Sequence, residues 1–148
     1  LEVLRGKPKH YTFSDQGTPF VQIPFERVPQ LPVVLQRGWI KAFTLPMCAE
    51  PADGGLELVI QIVLKAEDAV GELPVAFNGG WPRREHTASD RLLFPCGAFT
   101  HHAAANRGYD LIFPVSLVRE GWNEITVENG GERTITVVGI ELAVRPRG

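Results

Sequence analysis

The chain has 148 residues, 44% of them hydrophobic and 22% charged, enough for one compact domain with a buried core and short for two. Its formal net charge of -2, with Lys and Arg scattered along the sequence, leaves no basic footprint for nucleic acid. The longest apolar run, residues 56–64, is interrupted by Glu57 and Gln61 and falls far short of the roughly 20 residues of a spanning helix, so no membrane partner is expected either.

Residues 1–148 are expected to form a single module. The sequence opens on Leu1, its one methionine is Met47, and the closing Arg145-Pro146-Arg147-Gly148 reads as the start of a linker, so a piece of a larger protein is expected. Pro (12 residues) and Gly (15 residues) punctuate the chain too often for a helical pattern of three turns outside one region. The fold class read from this is all-β.

In chain order, residues 1–4 and 11–13 read as edge strands, and residues 19–25 as an irregular strand around Pro24. Residues 33–35 and 39–45 follow. Trp39, Lys41, Phe43 and Leu45 share one parity, which predicts a core position for Trp39 and a lysine whose stem packs while its head leaves at the rim. After a turn over residues 50–55, Leu56, Leu58, Ile60, Ile62 and Leu64 form one face of a central strand, with Val59 and Val63 making the opposite face apolar in its middle. Residues 73–77 form a short strand that delivers Asn78-Gly79-Gly80-Trp81 to its end. Residues 82–109 read as a long connection, with one helical turn at 100–106, before strand character resumes at 111–115.

The clearest pattern lies in residues 113–144. Ile125 and Val127 alternate with Glu124, Thr126 and Glu128; Asn129-Gly130-Gly131 offers residues that tolerate positive φ; and Ile135, Val137, Ile140, Leu142 and Val144 are expected to return antiparallel to the first run. The inward set changes parity at Val138-Gly139, the signature of a β-bulge. About eight to ten antiparallel strands with at most one short helix predict a β-sandwich of jelly-roll type. Cys48 and Cys96 are expected as two buried thiols rather than a bridge.

Two segments together carry a resemblance. Val75-Ala76-Phe77-Asn78-Gly79, and Phe113-Pro114-Val115 continuing to Gly121-x-Asn123-x-Ile125-x-Val127, resemble the galactose-binding-like β-sandwich accessory modules of glycoside hydrolases. The likeness begins near Leu56. It implies a polysaccharide or oligosaccharide ligand, an adjacent catalytic domain in the parent chain, and an extracellular or periplasmic bacterial location. It also implies a structural calcium ion, for which Asp53, Glu67 or Asp68 could supply oxygens, although no ligand run of EF-hand type is present. No cofactor is otherwise expected.

Sugar binding asks for an aromatic face beside hydrogen-bonding side chains. Asn78, Trp81, Arg83, Arg84 and His86 supply these within one stretch and form the predicted ligand site. The alternative for Trp81 is an indole folded back to plug the end of the sandwich. Trp122, between Gly121 and Asn123, is expected to pack. His101-His102, with His86 and Cys96 nearby, lacks the paired spacing of a zinc site, so no metal ligand is assigned. His86, Ser89 and Asp90 lie too close in sequence for a triad, and Glu85 with Asp90 is a pair that any polar loop contains. A non-catalytic carbohydrate-binding module is therefore the leading reading. A purely structural accessory module is the first alternative, and a sandwich-fold lyase or hydrolase using Tyr109, His101 or an arginine is the second.

Overall fold

Side chains alternate between the two faces of a strand, so runs of β-branched and aromatic residues at every second position fold into sheets with one buried face. The computed structural model describes residues 6, 9–14, 31–52, 54–65, 68, 73–89 and 106–147. Among them are nine strands: β1 (Lys9–Ser14), β2 (Val33–Leu35), β3 (Ile40–Met47), β4 (Leu56–Lys65), β5 (Val75–Phe77), β6 (Arg84–Ser89), β7 (Asn106–Pro114), β8 (Gly121–Glu128) and β9 (Ile135–Pro146). A 3-10 turn, Val115–Leu117, joins β7 to β8.

The strands form two antiparallel sheets, the all-β sandwich that the alternation predicts. The larger runs β1-β9-β4-β7-β6, with β2 also paired to β9; the smaller runs β3-β8-β5. Between them lies one apolar cluster. Leu58, Ile60, Ile62 and Leu64 of β4 and Leu111 and Phe113 of β7 meet Phe43 and Leu45 of β3, Phe77 of β5, and Ile125 and Val127 of β8. Each such side chain contributes on the order of 1.5–3 kcal/mol on leaving water. Phe77 and Phe113 join the two sheets directly, ring centroids 6.1 Å apart at an interplanar angle of 56°. On the opposite face of β4, Val59, Gln61 and Val63 are buried as well, so this strand is covered on both sides. The bulge falls where the parity slip puts it: Val63 stands opposite Gly139 and Leu64 opposite Val137, and Val138 is skipped.

Several expectations require correction. β8 and β9 do not pair with each other. β8 lies between β3 and β5, whereas β9 lies in the other sheet against β1, β2 and β4, so residues 113–144 cross the sandwich instead of forming a hairpin. Both runs have a fully apolar inner face, a pattern that does not decide which sheet each joins; here they bury those faces in one core from opposite sheets. Gly130 and Gly131 accordingly adopt no positive φ. Asn129 instead folds the loop on itself: its Oδ1 accepts Gly131 N–H at 3.1 Å, and its Nδ2 donates to Leu35 O at 2.9 Å and Arg133 O at 2.7 Å.

Trp39 is not in the core. β3 starts at Ile40, and Trp39 belongs to the preceding turn, its N–H donating to Gln36 O at 3.0 Å, so the parity of β3 does not govern it and it is 53% exposed. The connection at 82–109 is shorter than read, because residues 84–89 are an edge strand and β7 begins at Asn106. Arg145 and Pro146 are not linker but the end of β9, held beyond the strand by Arg147 N–H on Gly55 O at 2.9 Å. Residues 1–4, 19–25, most of the helical turn at 100–106, His101, His102 and Cys96 lie outside the described residues; Cys48 is buried.

Candidate functional site

The site grows from the end of β5. Asn78 and Gly79 both have positive φ, 49° and 79°, and the flanking residues exchange hydrogen bonds, Phe77 N–H to Gly80 O at 3.0 Å and Gly80 N–H to Phe77 O at 2.9 Å. This is the two-residue turn whose twist matches that of paired strands, and it requires residues tolerant of the left-handed region at both central positions. Gly80 then lies against Leu117: a Cβ there would stand 2.6 Å from one Leu117 methyl and 2.9 Å from the other.

Asn78 works for the scaffold. Its Nδ2 donates to Leu117 O at 2.7 Å and to Asn123 Oδ1 at 2.8 Å, and its Oδ1 accepts Glu124 N–H at 2.8 Å. Asn123, 1% exposed, completes the network: its Oδ1 also accepts Arg119 N–H at 2.8 Å, and its Nδ2 donates to Arg119 O and Gly121 O, each at 2.9 Å. A buried amide, Asn123, and a half-buried one, Asn78, thus bind β5, the 3-10 turn and β8 into one corner.

From that corner Trp81-Pro82-Arg83 crosses from the smaller sheet to the larger. Trp81 points outward, 64% exposed, and does not plug the sandwich. Arg83 N–H donates to Ile112 O at 2.7 Å, which docks the crossing segment on β7 just before β6 begins. Arg84 stands opposite Ile112 and His86 opposite Asp110, so both occupy register positions on an edge strand rather than in a loop.

Beside the crossing is an open cavity of about 440 Å³. Its wall is apolar where Leu56, Ile112, Phe113, Pro114 and Val115 contribute, and polar where Glu57, Arg83, Ser116 and Arg147 do. Glu57 is buried and carries Arg145, whose Nε and one terminal nitrogen both lie 3.3 Å from the same carboxylate oxygen. Trp81 and Arg83 are two residues apart, so their Cα atoms are within about 7 Å of each other.

Of the five predicted site residues, Arg83 lines the cavity, Trp81 is exposed two residues before it without being a lining residue, Arg84 adjoins a lining residue by register, His86 lies farther along the edge strand, and Asn78 is engaged in the corner. Arg147 and Ser116 are lining residues that the sequence reading missed. No sequence signal pointed to Arg147: the pairing of Glu57 with Arg145, which brings residue 147 to this end of the sheet, is visible only in the register of β4 and β9. Trp122, expected to pack, is 41% exposed on the outer face of the smaller sheet, opposite Pro46. Tyr109, offered for a lyase, is 3% exposed and belongs to the core cluster. Asp68, offered for calcium, accepts Thr136 N–H at 2.8 Å. Among the described residues no group of three His, Cys, Asp or Glu side chains is arranged to hold a metal ion, and no helix is long and apolar enough to cross a membrane.

No protein-family model matches the chain, and none of the curated proteins matches it. Among solved structures it is similar to a beta-porphyranase of glycoside hydrolase family 86 from the human gut bacterium Bacteroides plebeius, with a TM-score of 0.50 and 12% identity. The alignment takes in 96% of this chain and 21% of the porphyranase, so the chain spans about one fifth of that enzyme's length. At this identity the likeness is one of fold: the two-sheet sandwich recurs as one part of a glycoside hydrolase.

Proposed function

We propose that the chain is a non-catalytic glycan-binding module of a larger carbohydrate-active protein, acting outside the cell or in the periplasm beside a catalytic domain. The observation that carries this reading is Trp81, 64% exposed on a segment fixed at both ends, two residues before Arg83, which lines the cavity. An exposed indole is costly to leave in water, and one held on a rigid crossing presents a flat face to the C–H face of a sugar ring at little entropic cost. Arg83 then donates hydrogen bonds to ring hydroxyls. The fold it shares with part of a glycoside hydrolase supports the same context.

Native affinity electrophoresis over neutral and acidic polysaccharides tests this. The chain should be retarded by at least one glycan, and Trp81→Ala should abolish the retardation without changing the fold. Retardation that survives Trp81→Ala would overturn the assignment of the platform, and no retardation by any glycan would overturn glycan binding.

A structural accessory module that packs on its catalytic neighbour is a second reading, favoured by Trp39 and Ile40, adjacent residues exposed by 53% and 62% at the start of β3. Neighbouring exposed apolar side chains mark contact surfaces. This reading predicts no retardation by any glycan, together with a higher melting temperature when the module is joined to its neighbour.

A further inference from the structure

Among the described residues, the walls of the cavity carry more positive than negative charge. Arg145 pairs with Glu57, the one acidic residue among the described lining residues, while Arg83 and Arg147 are two further cationic residues lining the same space. Neither of these two side chains is in an ion pair among the described residues. Their backbones are nevertheless fixed, Arg83 by its N–H on Ile112 O at 2.7 Å and Arg147 by its N–H on Gly55 O at 2.9 Å. In the strand order β9-β4-β7-β6, Arg147 leaves the β9 side and Arg83 enters the β6 side, so the two cations converge on the cavity across the β4 and β7 strands between them. Ser116 adds a hydroxyl, and Ile112 and Pro114 an apolar floor.

We propose that this cavity binds an anionic substituent of the glycan, a uronate carboxylate or a sulfate half-ester, clamped between Arg83 and Arg147, with the sugar ring lying toward Trp81. The inference rests on the glycan-binding reading and adds to it the class of sugar. Guanidinium groups suit both anions, because their planar donors form paired, charge-assisted hydrogen bonds with carboxylate or sulfate oxygens. Simple ion exchange would not produce such binding, since the whole chain carries a net charge of -2 and would repel a polyanion that met no local site.

The test compares dextran, dextran sulfate and polygalacturonate in native affinity gels and by titration calorimetry at physiological salt. One of the two anionic polymers should bind and dextran should not; which one binds identifies the anion. Arg83→Gln and Arg147→Gln should each weaken that binding by about tenfold or more, the factor expected for loss of one charged hydrogen-bonding partner. Arg133→Gln, which removes the same charge from the loop at the other end of β9, should leave it unchanged. Equal loss in all three variants would reduce the binding to non-specific charge and overturn the proposal. Binding of a neutral glycan that is sensitive to Trp81→Ala but not to Arg83→Gln or Arg147→Gln would overturn the anionic site while leaving the glycan module intact. Failure of every polysaccharide to bind would remove both.

Discussion

Asn123→Ala tests whether the amide corner holds the sandwich together at the point where the exposed crossing begins. The substitution removes four hydrogen bonds at 2.8–2.9 Å from a side chain 1% exposed. At about 1 kcal/mol net for each bond the loss is about 4 kcal/mol. Arg119 is exposed, so water takes over part of its share, which brings the expected loss to about 3 kcal/mol. In a domain of this size that corresponds to a melting temperature lower by about 9 °C. Urea unfolding at equilibrium, followed by fluorescence and circular dichroism together, measures it. Asn123→Asp is the sharper control: it keeps the two accepted bonds but turns an oxygen toward Arg119 O and Gly121 O, where the amide donates. It should destabilise at least as much as alanine. A loss below about 1 kcal/mol for alanine, the worth of a single bond, or an aspartate milder than alanine, would refute the argument.

Other perturbations separate scaffold from surface. Phe77→Ala empties a fully buried site between the sheets and should cost about 3–5 kcal/mol by the same unfolding assay. Asn78→Gly keeps the positive φ of the turn and loses only the side-chain bonds, whereas Asn78→Ala loses both; the alanine variant should be the less stable by about 1 kcal/mol. Trp81→Ala, by contrast, should leave stability within about 0.5 kcal/mol of the parent, as exposed positions do, while removing glycan retention.

The two Asn-Gly-Gly triplets show what the sequence could and could not reveal. Residues 78–80 and 129–131 are identical in composition, and local preference rates them alike as turns. Only the first makes the tight turn, with φ positive at Asn78 and Gly79; the second is an open loop between sheets, closed by the Asn129 side chain. Tertiary pairing decides between them, and alternation within β8 and β9 says which face is inward but not which sheet each strand joins. The same limit hid the cavity. Its arginines come from positions 83 and 147, and nothing short of the β4–β9 and β6–β7 registers brings them together. What was legible was periodic, the strands of the core and the bulge at Val138 and Gly139; whether Trp81, in an aperiodic segment, stood exposed or plugged the sandwich was not.

β9 also has a bearing on how the protein is made. It lies against β1, β2 and β4, with Lys9 opposite Val144 and Leu58 opposite that same Val144, so the larger sheet has a gap in its middle until residues 135–146 arrive. During synthesis β4 emerges early with a buried apolar face and waits, one edge open, for a strand still to be translated. Non-local pairing of this kind folds slowly and leaves strand edges unprotected in the interim. Expression yield should therefore respond more to translation rate and chaperone supply than the native stability of the sandwich alone would suggest.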